Sequence, residues 1–225
     1  MDDEYYDVSC RVRTEDGFLD VDHGYALYSA LKKVWGALAR DSESGMIALH
    51  RIVGKCVGDR LQRVDRNSRI TLRVPKSHLS EVFDLRHVFL SVKGRKLQIG
   101  KSFLVQPLNP CSTLQSWMVA LSGSDIRNNR AAFQQTMIKK LQDIGLTSGL
   151  PLFVEPKSNR RLESNEETND PIIQRSIRIG KVYIHGAAVC VVDLTERDSI
   201  RLQSVGLGGR RHFGCGVFMP FGRHS

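Results

Sequence analysis

The sequence predicts an α+β protein built from two tandem ferredoxin-like domains, residues 1–108 and 109–225. The same order of strand and helix patterns, βαββαβ, occurs once in each half of the 225 residues. Asn109-Pro110 separates the two halves and marks a plausible boundary. Hydrophobic residues make up 41% of the chain, which is enough for a buried core. We therefore expect two helices packed on one face of each antiparallel sheet.

Two spacings of apolar residues predict the main elements of the first half. Apolar side chains alternate over residues 5–13, as in a half-buried strand, and recur every three to four positions over residues 24–40, as along one helix. Residues 54–68 are polar and indicate a loop or hairpin end. The other predicted elements are strands over 46–53, 69–74, 88–92 and 95–107 and a short helix over 77–85.

The second half repeats this order. Residues 130–144 place apolar side chains on one face of a helix, and Thr195 can cap a second helix over residues 195–205. A polar, acidic stretch over residues 149–170 indicates a mobile loop. The predicted strands cover 116–121, 172–179, 182–194 and 215–221.

Charge is distributed unevenly along the chain. The net charge is +9, yet residues 1–22 carry eight acidic and two basic side chains, which leaves 31 basic against 16 acidic residues in the remainder. A strongly basic body favours a polyanionic partner, and nucleic acid is the usual one. The alternative is scattered solubilising charge, which the local basic pairs argue against: Lys32-Lys33, Lys139-Lys140, Arg160-Arg161 and Arg210-Arg211.

Several classes of protein and site do not fit the sequence. No apolar run approaches 18 residues, and no basic and then apolar leader begins the chain, so we expect neither a membrane span nor secretion. The five cysteines include no CxxC pair, which argues against structural zinc and for reduced thiols in the cytoplasm. HExxH, EF-hand and GxSxG patterns are absent from the sequence. Neither a metal nor a small-molecule cofactor is expected.

The most informative stretch is the glycine-rich segment, Gly206–Gly216, with five glycines in eleven residues. Glycines permit positive φ and a close approach to a ligand, and consecutive N–H groups in such a loop can bind an anion. Arg210 and Arg211 add bidentate phosphate donors. A P-loop is excluded because Cys215-Gly216 follows where Lys and Ser/Thr would be needed. The alternative is a flexible turn before the last strand.

These residues resemble a known family. The relevant segments are VDHGYALYSAL at 21–31, Ile47-Ala48-Leu49-His50, SRITLRVP at 68–75 and GLGGRRHFGCGVFMP at 206–220. Their order is similar to that of the CRISPR-associated endoribonucleases that cut precursor CRISPR RNA. This is the sixth Cas protein family of the RAMP superfamily, and the match is sharper for its Myxococcus-type subgroup.

The resemblance implies metal-independent cleavage within the CRISPR repeat, where a 2′-hydroxyl attacks the adjacent phosphate. The products would be a 2′,3′-cyclic phosphate and a 5′-hydroxyl. The implied partners are repeat RNA, mature crRNA and other Cas proteins of an interference complex.

Histidine suits such chemistry because its ordinary pKa lies near neutrality. The resemblance places a histidine near the first helix, so we predict His23 as general acid/base, with its ring exposed at a helix start, and His50 as the runner-up. His212 is interpreted as an RNA contact or a spacer, and the roles of an assisting Tyr and Lys stay unassigned. The predicted RNA-binding residues are Gly206, Gly208, Gly209, Arg210, Arg211, Gly214 and Gly216.

Two other functions stay open at this point. The first is a non-catalytic subunit that binds the repeat hairpin inside a larger complex. The second is a general RNA-binding protein of the RRM kind, which would need exposed aromatics in an RNP-like pattern. The nearest match, residues 181–186, lacks that aromatic spacing.

Overall fold

The computed structural model describes residues 4–41, 45–120, 130–153 and 174–221. Most of the predicted loop over residues 149–170 lies outside these ranges, as do Arg160-Arg161. Within them the helices are α1 (Gly24–Val34), α2 (Gly36–Arg40), α3 (Leu79–Val82), α4 (Arg130–Asp143) and α5 (Glu196–Val205). Single 3₁₀ turns cover Lys76–His78, Phe83–Leu85 and Arg211–Phe213.

Thirteen strands occur in the described residues. In the first half they are β1 (Tyr5–Thr14), β2 (Phe18–Asp20), β3 (Ala48–Leu49), β4 (Lys55–Gly58), β5 (Leu61–Arg63), β6 (Arg69–Pro75), β7 (Phe89–Val92) and β8 (Arg95–Pro107). In the second half they are β9 (Leu114–Ala120), β10 (Leu150–Phe153), β11 (Gln174–Ile179), β12 (Val182–Val192) and β13 (Phe218–Pro220).

Both halves have the strand order of a ferredoxin-like fold. The first sheet runs β3-β6-β1-β8-β7 and the second runs β10-β12-β9-β13, with β11 also paired to β12. All the pairings are antiparallel, and the first strand of each unit lies between the third and the last of its βαββαβ order. The predicted α+β class with two tandem ferredoxin-like domains is confirmed. A separate three-stranded sheet, β2-β5-β4, occupies the stretch predicted as a loop or hairpin end.

The two faces of β1 differ in chemistry. Val8, Cys10 and Val12 are buried, whereas the alternate residues Arg11 and Arg13 are exposed. This two-residue period gives the first sheet one apolar and one polar face. Helix α1 contributes apolar side chains to the same core through Leu27 and Leu31, both fully buried. The polar face of the sheet is therefore left for other contacts.

The predicted helix over residues 24–40 is wrong as a single element. Trp35 has an extended backbone (φ −125°, ψ 104°), and its N–H closes α1 by donating to the Leu31 carbonyl, 2.8 Å away. The indole is buried, and Gly36 follows as the first residue of α2. Burying this large ring interrupts the helix at a point where glycine already lowers helix propensity.

Two strands are shorter than the sequence pattern predicts. Of residues 46–53 only Ala48–Leu49 pair in the sheet, because the Asp41 carboxylate accepts the N–H groups of Met46 (3.0 Å) and Ile47 (2.7 Å). The last strand begins at Phe218. Before it, Gly216 donates to the Met118 carbonyl (2.7 Å) and accepts from the Leu207 N–H (3.0 Å). Apolar periodicity does not distinguish such buried loops from strands.

Helix α5 begins at the cap predicted from the sequence. The Thr195 hydroxyl accepts from the Asp198 N–H. The Asp198 carboxylate in turn accepts the N–H and hydroxyl groups of Thr147 and Ser148 at 2.7 to 3.1 Å. Burial raises the pKa of Asp198, but these hydrogen bonds outweigh it and hold the pKa below its ordinary value. The cap thus ties α5 to the loop after α4.

The chain forms two compact units. Among the described residues, the first contains those up to Asn109 together with Arg210–Gly214, and the second contains those of 110–209 and of 215–221. Arg210–Gly214 therefore pack with the first unit, although they fall within the predicted second domain. Among the described residues, no helix is long and apolar enough to cross a membrane.

We predict that Gly216→Ala destabilises the protein by about 2–4 kcal/mol. Its φ is +64°, and an added Cβ would lie 2.1 Å from the Leu207 carbonyl oxygen. Gly209→Ala is the matched control, because nothing lies within 4 Å of an added Cβ there, and should change stability by less than about 0.5 kcal/mol. Urea unfolding measures both, and equal effects would contradict this packing.

Candidate functional site

The 210–214 turn, Arg210–Gly214, is a single 3₁₀ turn between two left-handed residues. Arg210 has φ +71° and Gly214 has φ +85°. The N–H of Phe213 donates to the Arg210 carbonyl (2.9 Å), and that of Gly214 donates to the Arg211 carbonyl (3.0 Å). Because Arg210 is a non-glycine residue in the left-handed region, this backbone is strained unless its side chains are held.

Phe213 holds the turn against α1. Its buried ring makes edge-on contacts with Tyr25 and Tyr28, at centroid distances of 5.5 and 5.1 Å. A Cβ added at Gly24 would lie 2.7 Å from the Phe213 carbonyl oxygen, so the backbones of α1 and the turn approach closely. Gly24, in the motif from residue 21 to 31, therefore permits this contact.

Arg211 holds the other side of the turn. Its guanidinium is buried and donates from Nη1 to the Gly45 carbonyl (3.0 Å). Burial, with help from the nearby Arg73, lowers the pKa of Arg211 to about 10. The predicted phosphate contact of Arg211 stays a prediction, and burial argues against it, since the exposed fraction of this residue is only 7%. The sequence pattern Arg210-Arg211 gave no sign of which arginine is buried.

His212 lies between these two anchors and is half-buried. Its ring packs 4.6 Å from Tyr28 at an interplanar angle of 37° and 4.1 Å from Phe213. Lys32 also lies near Tyr28, with Nζ 5.9 Å from the centroid of that ring. Burial lowers the pKa of His212; Arg210 and Lys32 lower it further, while Asp41 raises it. The turn thus presents a mostly neutral imidazole beside two cations.

His23 is fully buried, so the expectation of an exposed ring is wrong. Its Nε2 accepts the N–H of Ile52 (3.1 Å), which requires the proton on Nδ1, and Nδ1 donates to the Asp20 carbonyl (2.7 Å). Burial lowers the pKa of His23 to about 4, against the hydrogen bond to Asp20, which raises it. The two ring nitrogens of His23 thus connect its own segment to those of Asp20 and Ile52.

His50 is buried in an ion-pair network on the polar face of the first sheet. Arg73 donates to both oxygens of Asp7 at 2.8 and 2.9 Å, and Nε2 of His50 lies 3.4 Å from the same carboxylate. Burial lowers the pKa of His50, although Asp7 opposes that shift. Burial would raise the pKa of Asp7, but Arg73 and His50 hold it far below its ordinary range. The structure thus gives no exposed face to the His50 ring, which is 4% exposed.

The predicted RNA-binding glycines divide into two groups. Gly206, Gly214 and Gly216 are buried, and Gly214 lies against Arg51, with an added Cβ 3.1 Å from its Cγ. Gly208 and Gly209 are exposed, as is Arg210. Buried glycines allow close backbone packing, whereas only the exposed residues are available to a ligand.

A basic cavity of about 550 Å³ lies on the polar face of the first sheet. We define its cationic lining as Arg11 and Arg13 of β1, Arg69 of β6 and Lys101 of β8. Among the described residues none of these four forms an ion pair with an acid. Some other surface cations of this unit are paired with acids: Arg95 pairs with Asp16, and Lys96 lies 2.9 Å from Glu15. The cavity therefore carries four positive charges that no acid of the described residues pairs with.

The acidic residues near His23 form ion pairs. Asp20 lies 3.5 Å from Lys93 and 3.6 Å from Arg95, and Asp22 lies 3.9 Å from Arg60. Within the part of the chain that the structure describes, no group of three or more His, Cys, Asp or Glu side chains is arranged to hold a metal ion.

Comparison with known proteins identifies the family. The family model described as "Cas6 Crispr" matches residues 7–223. The chain belongs to the Cas6 family. It is 29% identical over 209 residues to "CRISPR-associated endonuclease Cas6" of Myxococcus xanthus (strain DK1622), covering 93% of this chain and 79% of that protein.

Solved structures of Cas6 proteins have the same fold. A structure titled "CRISPR associated protein Cas6" has a TM-score of 0.64 at 12% identity, covering 96% of this chain and 99% of the other. "Characterization of a Cas6-related gene from Pyrococcus furiosus" has a TM-score of 0.65 at 8% identity, covering 98% and 100%. The predicted identity, a Cas6-family endoribonuclease that processes CRISPR RNA, is therefore confirmed.

Sequence reasoning missed the two surfaces that the structure presents. The sequence alone supports His212 only as an RNA contact or a spacer, because its position beside Tyr28 depends on a contact between residues far apart in the chain. The basic cavity had a detectable signal, because Arg11 and Arg13 occupy alternate positions of a strand whose other residues are apolar.

We predict that protonation of His23 destabilises the fold in acid. The pKa of this side chain is about 4 when folded and about 6.5 when unfolded, so the unfolded chain binds more protons between these values. Stability should therefore fall as pH decreases through this window, with His23 contributing about 2 kcal/mol of the loss between pH 7 and pH 4.5. Urea unfolding of wild type and His23→Gln at both pH values measures this. An equal loss in the variant would contradict it.

Proposed function

We propose that this Cas6 protein cleaves precursor CRISPR RNA within the repeat, without a metal ion, by attack of a 2′-hydroxyl on the adjacent phosphate. The O2′–P bond forms as the P–O5′ bond breaks, which leaves a 2′,3′-cyclic phosphate on one product and a 5′-hydroxyl on the other. The observation that carries the proposal is the unneutralised basic cavity, in a family of endonucleases that act on RNA.

Phosphate binding follows from the chemistry of this cavity. Three of its four cations are arginines, whose planar guanidinium groups bind phosphate oxygens through two hydrogen bonds. The exposed side chain of Leu104 also lines it and offers an apolar surface for a base or ribose. We assign a single-stranded part of the repeat to this cavity, because splayed nucleotides fit an open sheet face better than a duplex does.

We assign the scissile phosphate to the surface formed by α1 and the 210–214 turn. Arg210 and Lys32 are both exposed there and supply positive charge beside a phosphate that gains negative charge during attack. Gly208 and Gly209 are proposed as further RNA contacts, since both residues are exposed and the N–H groups of such loops can bind an anion. His23 and His50 are assigned structural roles, because their rings are buried.

We also propose that the processed RNA stays bound and that the protein then joins other Cas proteins of an interference complex, in the cytoplasm. A basic cavity of arginines favours slow release of a polyanion, since each phosphate contact adds to affinity. All five cysteines are free thiols, as in a reducing compartment.

Cleavage in EDTA tests the activity directly. The substrate is a synthetic precursor that carries two CRISPR repeats from the genome that encodes this protein. Excess protein should cut it once per repeat in about 10 mM EDTA, which removes free divalent ions. The 3′ product should accept phosphate from polynucleotide kinase without prior phosphatase treatment, because its 5′ end is a hydroxyl.

The control is the same RNA with one 2′-deoxynucleotide at the cleavage position. It should bind with unchanged affinity and stay intact, because the attacking oxygen is missing. Cleavage of this RNA, or a strict requirement for a divalent ion, would overturn the proposed chemistry. Tight binding of both RNAs without any cleavage would favour the non-catalytic subunit.

Charge removal tests the basic cavity. Arg11→Gln combined with Arg69→Gln should weaken repeat RNA binding about tenfold and reduce the slope of log K against log [NaCl] by about 1.4, because each lost contact to a single strand contributes about 0.7. The matched control, Lys96→Gln, removes a cation already paired with Glu15 and should leave the slope unchanged. A double variant that binds with the wild-type salt slope would exclude this cavity as an RNA-binding surface.

A further inference from the structure

We propose that His212 is the catalytic histidine and that it accepts the proton of the attacking 2′-hydroxyl. This rests on the proposed function and adds to it the residue that performs the proton transfer. Of the three histidines considered for the site, His23 and His50 have exposed fractions of 0% and 4%, whereas His212 is only partly covered. A general base must come within hydrogen-bonding distance of the proton that it accepts, and His212 alone among these three reaches the surface.

The backbone of the turn presents this ring. Arg211 and Phe213, on either side of it, are both buried, the first against the Gly45 carbonyl and the second against α1. The residue between two buried neighbours of a 3₁₀ turn points away from both, since successive side chains are about 120° apart. His212 therefore projects from a turn that is fixed at both ends, and fixed positioning is what proton transfer requires.

Tyr28 fixes the orientation of the ring. The two rings lie face to face at a tilt of 37°, with centroids 4.6 Å apart, and Phe213 closes a second side at 4.1 Å. These contacts limit rotation of the imidazole, while the residue as a whole stays only partly covered. The aromatic rings of Tyr28 and Phe213 also exclude water from one side of the imidazole. This exclusion strengthens the interactions of the imidazole with a bound phosphate.

Burial favours the neutral form of His212, and three charged groups face its ring. They are Lys32 on α1, Arg210 on the turn itself and Asp41 after α2, and Tyr28 contributes a phenol on α1. Burial and the two cations lower the pKa of His212, whereas Asp41 raises it. A neutral imidazole can accept a proton, and the same two cations stabilise the negative charge that develops on the phosphate.

The proposed step is balanced in protons. His212 takes the 2′-hydroxyl proton as O2′ bonds to phosphorus, the P–O5′ bond breaks, and the departing 5′-oxygen takes a proton from water. The imidazolium then returns its proton to solvent, which restores the neutral ring. No metal, cofactor or oxidant takes part.

The test compares cleavage and binding in the same variants. In EDTA, with protein in excess over repeat RNA, His212→Gln should cleave at least about 100-fold more slowly than wild type, while its Kd for the 2′-deoxy RNA changes less than about threefold. The wild-type rate should rise with pH through an apparent pKa below 6.5, and the variant should lose that dependence. Added imidazole should restore cleavage by His212→Ala.

His78→Gln is the matched control, because His78 is another partly buried histidine of the same unit, 3.1 Å from Glu81, and should cleave at the wild-type rate. His212→Gln that cleaves within threefold of wild type, or that loses RNA affinity in proportion to its rate, would overturn the role of His212 and leave the proposed function intact. Wild type that does not cleave at all would overturn both.

Discussion

The packing of the 210–214 turn on the first unit is the interaction on which the rest of the account depends. Phe213 fills the space beside Tyr25 and Tyr28, and Arg211 donates to the Gly45 carbonyl. Burying an aromatic side chain of this size contributes about 1.5–3 kcal/mol. The two anchors are well suited to hold a backbone in which Arg210 is left-handed, and between them a single histidine is fixed in place.

The degree of burial distinguishes the histidines to which we assign structural roles, His23 and His50, from the proposed catalytic residue, His212. A ring whose two nitrogens are both hydrogen-bonded to backbone, as in His23, joins chain segments and resists protonation. His50 lies beside the buried ion pair of Asp7 and Arg73, and removing one partner of such a pair costs about 3–5 kcal/mol. His212, which is only partly covered, retains an edge that a substrate can reach. We propose that phosphate binds at the basic cavity on the polar face of the first sheet.

Much of the fold was predictable because it follows from local patterns. The period of two in β1 and the Thr195 cap of α5 depend on residues adjacent in sequence, and both patterns match the structure. The break at Trp35 was not predictable, because the ring must find a buried site that only the folded unit provides. Burial of His23 was missed for the same reason: its partner Ile52 lies 29 residues away.

The glycine-rich segment shows why the sequence alone did not predict which of its residues are exposed. Five glycines beside two arginines indicate phosphate binding, and the structure leaves only Gly208, Gly209 and Arg210 of this set exposed. At Gly216 the same residue type is required because a Cβ would meet the Leu207 carbonyl. Glycine occurs both in flexible loops that bind a ligand and in backbones that pack closely. Amino-acid composition therefore does not distinguish these two roles.

The most direct test of the account is an NMR titration of the histidine side chains with repeat RNA that carries a 2′-deoxynucleotide at the cleavage position. We expect the imidazole resonances of His212 to shift as this RNA binds, while those of His23 and His50 stay constant because both rings are enclosed by protein. Shifts of His23 or His50, with His212 unaffected, would contradict the central claim that the turn presents the reactive imidazole.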